Sequence, residues 1–205
     1  MTEMQEDLII WFENLRKTDI PSVGGKNANL GEVTSAGIPV PPGFAITAFA
    51  YKKFIEEMDI AKKIYEIIDA TVTDRNSPEQ YEQASKKIRA LIEKTRMPKQ
   101  IEDAVTSSYR ELCKRLKMKN AFVAVRSSAT AEDLADASFA GQQETFLNVR
   151  GTEELLKSTV KCWSSLFTPR AIFYRDEKGF AHEKSSSASE CRKWSTRKPL
   201  ESSLP

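Results

Sequence analysis

Two polar segments contain the residues that could bind phosphate. In the first, Gly24, Gly25 and Lys26 stand where a helix is predicted to begin. Adjacent glycines allow a sharp turn, and the first N–H groups of a helix attract anions. Lys26 would add a mobile positive charge. The glycine spacing and the absence of a Lys-Ser/Thr pair exclude a Walker A loop, and a plain turn with a solvated lysine is the alternative.

The second segment begins with Arg126, which is predicted to leave a buried strand. Its planar guanidinium suits phosphate oxygens, and the hydroxyls and amides of a polar loop, predicted over 127–143, would add donors. The alternative is a serine-rich surface loop with Arg126 in a structural ion pair. If both segments face one cleft, Lys26 and Arg126 can bind the same phosphate chain.

The elements around these segments predict a helix-rich α+β fold. Strands are predicted over 8–15, 43–47, 121–125 and 144–149. A helix is predicted over 27–36 and ends at Gly37; others follow Thr47, include 64–68, and begin at Ser77, at Pro98 and after Gly151. The elements therefore place a strand or a helix start beside each polar segment.

Composition excludes several classes of protein. The chain has 205 residues, 40% hydrophobic content and a formal net charge of only +2, which does not indicate a nucleic-acid partner. The polar, acidic start predicts no secretory signal, and no apolar run has the length of a membrane span. Cys113, Cys162 and Cys191 lack metal-site spacing and are expected to be reduced, with Cys113 and Cys162 buried. These observations predict a cytoplasmic protein.

Several ordered segments resemble the beginning of phosphoenolpyruvate synthases. They are Phe12–Leu15, Pro21–Glu32 (PSVGGKNANLGE), Gly37–Ile46 (GIPVPPGFAI) and Phe122–Val149, within a resemblance that covers Leu8 to about Lys184. The same superfamily includes pyruvate phosphate dikinase and rifampicin phosphotransferase. The WFENL segment and Asn27 favour the synthase, and the RSSATAEDL block argues against the dikinase. Rifampicin phosphotransferase remains the alternative.

The resemblance implies the N-terminal part of an ATP-grasp fold and an ATP-dependent phosphotransferase. The implied reaction (pyruvate, water dikinase) moves the β-phosphoryl group of ATP to a histidine and then to pyruvate. Its products are phosphoenolpyruvate, AMP and phosphate, and its cofactors are ATP and Mg²⁺. Lys26 and Arg126 match the family's phosphate-binding residues. The residues that match its nucleotide-covering loop are Ser127, Ser128, Ala129, Thr130 and Gly141.

The chain is also expected to be incomplete. In the family, the Mg²⁺-binding carboxylates, the phosphohistidine domain and the pyruvate-binding barrel lie further along than this chain reaches. His182, the single histidine, does not match the phosphoryl carrier and is expected at the surface. We therefore expect no metal site and no complete catalytic set, and an isolated chain without activity. A stand-alone nucleotide-binding module is a further alternative.

The last part of the chain departs from the resemblance. Residues 1–184 are predicted to form an incomplete ATP-binding lobe, and residues 185–205 an irregular, polar tail. A permitted coding of Glu190–Pro205, read in a shifted frame, gives MQKMVNSETAGVIFT, which resembles the family's next segment. This predicts an out-of-frame tail on a truncated product; a genuine linker is the alternative.

Overall fold

The computed structural model describes residues 7–129, 144–179 and 187–194. These residues form a five-stranded antiparallel sheet with the order β1-β2-β5-β3-β4. The strands are β1 (Ile9–Trp11), β2 (Gly43–Ile46), β3 (Phe122–Ala129), β4 (Thr145–Arg150) and β5 (Ser187–Lys193). The last strand in the sequence therefore lies in the middle of the sheet.

Seven α-helices lie within the described residues. They are α1 (Ile20–Ser35), α2 (Ala48–Glu57), α3 (Ile60–Thr71), α4 (Pro78–Lys94), α5 (Lys99–Arg115), α6 (Thr152–Ser164) and α7 (Pro169–Lys178). Short 3₁₀ turns precede α1 and follow α6. In the described ranges, no helix combines the length and the apolar character that a membrane crossing requires.

The two faces of the sheet carry different side chains, because successive strand residues point to opposite sides. Ile10, Ala45 and Ala188 pack with Val23 and Ala28 of α1, and we call this side the α1 face. The opposite face carries the larger core against helices α2 to α7. Its buried members from the sheet include Phe44, Ile46, Val123, Val125 and Cys191.

Most of the predicted elements are confirmed. The structure has strands within or overlapping all four predicted segments. The hydroxyl of Thr47 accepts a hydrogen bond from the Ala50 N–H at 3.3 Å, so it caps α2 as expected from its type. Pro98 directly precedes α5, and Gly37 follows the end of α1 with φ of 76°. All three cysteines are buried and free of disulfides.

The prediction of an irregular tail is wrong over Ser187–Lys193. These residues form β5, which pairs with β2 on one side and β3 on the other, and Trp194 N–H bonds to the Phe122 carbonyl. The strand can form without an apolar period, because backbone pairing to two neighbours determines its position rather than its own side chains. The sheet thus contains residues from both sides of the boundary predicted at residue 184 between the lobe and the tail. The out-of-frame origin stays a prediction, and a packed strand weighs against it.

The predicted beginning of the polar loop at Ser127 is also wrong. Strand β3 continues through Ser127 and Ser128 to Ala129, because β5 supplies partners along its whole length. Ser127 lies opposite Ser189, and Ser128 lies opposite Ala188, so the two serines point to different faces of the sheet. Thr130, Gly141 and His182 lie outside the described residues.

Candidate functional site

Lys26 lies just after a break in α1. Gly24 has φ of 75° and ψ of 159°, so the helix is interrupted there and resumes at the next residue. This backbone conformation is essentially restricted to glycine. A helix that restarts at this point has N–H groups without intrahelical acceptors, beside a partly exposed Lys26. The break at Gly24 agrees with the predicted turn, whereas the predicted helix start at residue 27 is wrong, because helical residues precede Gly24 and continue from Gly25.

A second glycine fixes where this helix lies. A Cβ atom on Gly31 would come within 2.4 Å of Leu15 Cβ and 2.5 Å of the Leu15 carbonyl oxygen. Only glycine allows α1 to pack this closely on the segment after β1. The same helix contacts both β3 and β5. The approach of α1 to the sheet brings Lys26 towards β3, the strand that contains Arg126.

Arg126 lies within β3, on the α1 face. Its partner across β5 is Glu190, and the next cross-strand pair on this face joins Ala124 to Arg192. Residues paired across antiparallel strands have Cβ atoms about 5 Å apart. Arg126, Glu190 and Arg192 therefore form one group of charged side chains in the middle of the sheet.

The electrostatics of Glu190 connect this group to Lys26. Glu190 is buried, with 1% of its surface exposed, and burial raises the pKa of its carboxyl above the ordinary value. The charges of Arg192, Arg126 and Lys26 act in the opposite direction and lower that pKa. The same carboxylate thus interacts with Lys26 and Arg126, the two cations predicted from the sequence. We call Lys26, Arg126, Glu190 and Arg192 the charged cluster.

Glu190 is incompletely paired within the charged cluster. Arg192 Nε lies 3.3 Å from Glu190 Oε1, but this oxygen accepts no hydrogen bond from the described residues. From β2, the residues that face Glu190 and Arg192 are Ala45 and Gly43, which carry no charge. A buried charge that lacks good hydrogen bonds is costly, so burial raises the pKa of the carboxyl, and attraction by the cations offsets only part of that rise.

Two further buried polar atoms adjoin the charged cluster along the chain. Asn27 donates through Nδ2 to the Val23 carbonyl at 2.7 Å, whereas its Oδ1 accepts no hydrogen bond from the described residues. Ser128, two residues after Arg126 on the same face, has a buried hydroxyl without a partner in the described ranges. Such atoms in a native protein often indicate a place for a ligand or water.

Sequence reasoning missed Glu190 and Arg192. Both lie in the segment predicted as an irregular tail, where neither a motif nor a period indicates a role. The available signal is an alternation of Ala188, Glu190 and Arg192 on one side with Ser187, Ser189 and Cys191 on the other. It does not separate apolar from polar positions, so it could not identify a strand.

The fold and the charged cluster define an α+β protein with cations from a helix start and a central strand gathered at one place, an arrangement suited to phosphate. Residues 20–196 match the family described as the pyruvate phosphate dikinase, AMP/ATP-binding domain. This match covers most of the chain and includes all four residues of the charged cluster. The chain therefore belongs to this family of nucleotide-binding domains.

Curated relatives carry the name of one enzyme. The chain is 49% identical to a probable phosphoenolpyruvate synthase of Staphylothermus marinus over 88% of this chain and 22% of the relative. It is 51% identical to the probable synthase of Methanocaldococcus jannaschii, over 86% and 15% of the two chains. Identity to the phosphoenolpyruvate synthase of Pyrococcus furiosus is 43%, over 86% and 25%. The chain thus spans a quarter or less of the length of these relatives.

Proposed function

We propose that this chain is the ATP-binding portion of a phosphoenolpyruvate synthase, with an ATP-grasp type of nucleotide site. Lys26 and Arg126 would bind the phosphate chain, and the segment of Ser127, Ser128, Ala129, Thr130 and Gly141 would adjoin the nucleotide. The observation that supports this role is the shared interaction of Lys26 and Arg126 with Glu190. Two cations from distant parts of the sequence act at one point, as a polyphosphate requires.

The relatives favour the synthase over the alternatives. The three described above are named phosphoenolpyruvate synthase, and none of them is named rifampicin phosphotransferase. In the complete enzyme, the proposed reaction transfers a phosphoryl group from ATP through a histidine to pyruvate. The present residues would bind and neutralise phosphate oxygens, and the transfer would need residues that this chain does not supply.

Mg²⁺, which the resemblance implies, does not fit the charged cluster. The cluster contains three cationic side chains and one carboxylate, whereas Mg²⁺ prefers several oxygen ligands with little competing positive charge. Among residues 7–129, 144–179 and 187–194, no group of three His, Cys, Asp or Glu side chains could hold a metal. Lys26 and Arg126 are therefore proposed to neutralise phosphate charge directly.

The proposal predicts weak ATP binding that depends on both cations. Because a charge-assisted hydrogen bond contributes about 1.5–3 kcal/mol, Lys26→Ala or Arg126→Ala should weaken binding by about tenfold or more. Titration of ¹⁵N-labelled protein with ATP, followed by NMR, can measure millimolar affinities. The purified chain should release no AMP from ATP and pyruvate.

Matched controls exist on the other side of the sheet. Lys86 on α4 and Arg110 on α5 are exposed residues of the same types, on helices that belong to the opposite layer. Lys86→Ala and Arg110→Ala should leave ATP affinity unchanged. Equal losses in the control and site variants would contradict a specific role for Lys26 and Arg126. AMP release by the wild-type chain would contradict the proposal that this chain binds ATP without carrying out the phosphoryl transfer.

A further inference from the structure

We infer that Glu190 is an internal anion that competes with a bound phosphate group for Lys26, Arg126 and Arg192. This inference rests on the proposed function, because it assigns a further role within the same site. Glu190 would lower the affinity of the chain for phosphate-containing ligands. Removal of its charge should therefore improve binding rather than impair it.

The position of Glu190 supports this role. It lies directly across from Arg126 in the β3–β5 pairing, and its Oε1 is 3.3 Å from Arg192 Nε. The carboxylate is fixed to a central strand and almost fully buried, so it cannot turn out into solvent. Any anion that approaches Arg126 on the α1 face meets a negative charge that is already there.

The absence of a hydrogen bond at Oε1 distinguishes Glu190 from a carboxylate in a fully hydrogen-bonded structural ion pair. A carboxylate that holds two arginines for structural reasons is expected to accept hydrogen bonds through both oxygens, often from a bidentate guanidinium. Glu190 Oε1 accepts none from the described residues, although three cations act on it. The carboxylate is thus not held by a complete network of hydrogen bonds, and an incoming anion can compete with it for the cations.

The strength of the competition follows from the charges. Two like charges near each other repel more strongly when they are shielded from water. A ligand phosphate beside Glu190 would experience this repulsion. It would also share Lys26, Arg126 and Arg192 with the carboxylate.

The test compares wild type with Glu190→Gln, which keeps the shape of the side chain and removes its charge. Sulfate and ATP are titrated separately against ¹⁵N-labelled protein at neutral pH. We expect Glu190→Gln to bind sulfate at least tenfold more tightly than wild type. Glu154→Gln, an exposed carboxylate on α6, is the matched control and should not change the affinity. Equal or weaker sulfate binding by Glu190→Gln would overturn the inference.

A second measurement uses wild type alone and covers the case in which Glu190→Gln does not fold. Sulfate keeps its charge from mildly acidic to neutral pH. Protonation of Glu190 should therefore tighten sulfate binding as the pH falls through the raised pKa of its carboxyl. An affinity that stays constant over this range would contradict the competition.

The two ligands separate the inference from the proposed function. Tighter sulfate binding by Glu190→Gln together with no ATP binding would support the internal anion and contradict the nucleotide role. ATP binding that depends on Lys26 and Arg126, without a change in Glu190→Gln, would support the nucleotide role and contradict the inference.

Discussion

Strands β2 and β5 are neighbours in one sheet and are built from different kinds of residue. All four residues of β2 are buried and none is polar: Gly43, Phe44, Ala45 and Ile46. The buried residues of β5 include Ser187, Ser189 and Glu190. Each of the two strands pairs with a neighbour on both sides in the sheet. Comparing β2 with β5 therefore separates the contribution of backbone hydrogen bonds to stability from the contribution of the side chains.

The difference shows that backbone pairing can place a strand whose side chains oppose burial. Strand β5 has partners on both sides, and each backbone hydrogen bond contributes a net of about 1 kcal/mol. A buried polar group without a good partner costs about 1–3 kcal/mol, and the described part of β5 contains two such atoms, Ser189 Oγ and Glu190 Oε1. We infer that β5 is the weaker of the two strands.

The largest effect is expected from Gly43→Ala, which would separate β2 from β5. A Cβ atom at Gly43 would lie 2.3 Å from the Cys191 carbonyl oxygen and 2.8 Å from Arg192 Cα, and both are backbone atoms. Because backbone cannot move aside as a side chain can, the free energy of unfolding should fall by about 3 kcal/mol. Urea denaturation followed by circular dichroism measures this loss.

Gly37→Ala provides the control for Gly43→Ala. Gly37 has φ of 76° and no atom within 4 Å of an added Cβ, so alanine there meets backbone strain without a clash. Its cost should be about 1 kcal/mol. If Gly43→Ala is no more destabilising than Gly37→Ala, then β5 is not held as closely against β2 as the structure indicates.

Strands β2 and β5 also differ in how far the sequence predicts them. Strand β2 could be identified because prolines precede a short apolar run, and Thr47 begins the next helix. Helix α1 could be placed from Gly24 and Gly37. Strand β5 could not be identified, because its position is set by unpaired groups of β2 and β3 that are distant in the sequence.

The site was predictable to a similar extent. Lys26 and Arg126 have residue types and local contexts that indicate phosphate, and each belongs to an element with a sequence signal. Their shared interaction with Glu190 depends on the register of β3 with β5, which places Arg126 opposite Glu190. A shift by one residue would turn Glu190 to the other face, and no local pattern in Ser187–Lys193 fixes that register.

The next largest effect is expected from Glu190→Gln on stability, and its sign depends on pH. The folded-state pKa of Glu190 is raised above its ordinary value of 4.5, since burial outweighs attraction by the three cations. Burial therefore favours the protonated side chain and disfavours the ionised one, and stability is lost as the pH rises through the folded pKa. Glu190→Gln should remove this loss and stabilise the protein at neutral pH by about 1 kcal/mol.

Thermal unfolding of both proteins across the acidic range measures this difference. The two stabilities should converge as the pH falls towards the ordinary value of 4.5 and separate as the pH rises from there through the folded pKa. Wild type being the more stable protein at neutral pH would instead mean that the cations overcompensate the burial of Glu190. In that case β5 would be stabilised, rather than weakened, by its polar residue.

The smallest effect is expected within β5 itself, from two buried serines on the same face of the strand. Ser189 Oγ makes no hydrogen bond of good geometry with the described residues, and it interacts with the Cys162 thiol, a weak partner. Ser187 Oγ instead donates to the Ala188 carbonyl at 3.0 Å. Ser189→Ala should therefore stabilise the protein by about 0.5 kcal/mol, whereas Ser187→Ala should destabilise it by a similar amount.

Both substitutions remove one hydroxyl from a fully buried position, so comparing the two variants by urea denaturation cancels the effects of size and strand propensity. Effects of the same sign would show that hydroxyl pairing does not set the stability of β5, and that its difference from β2 has another cause.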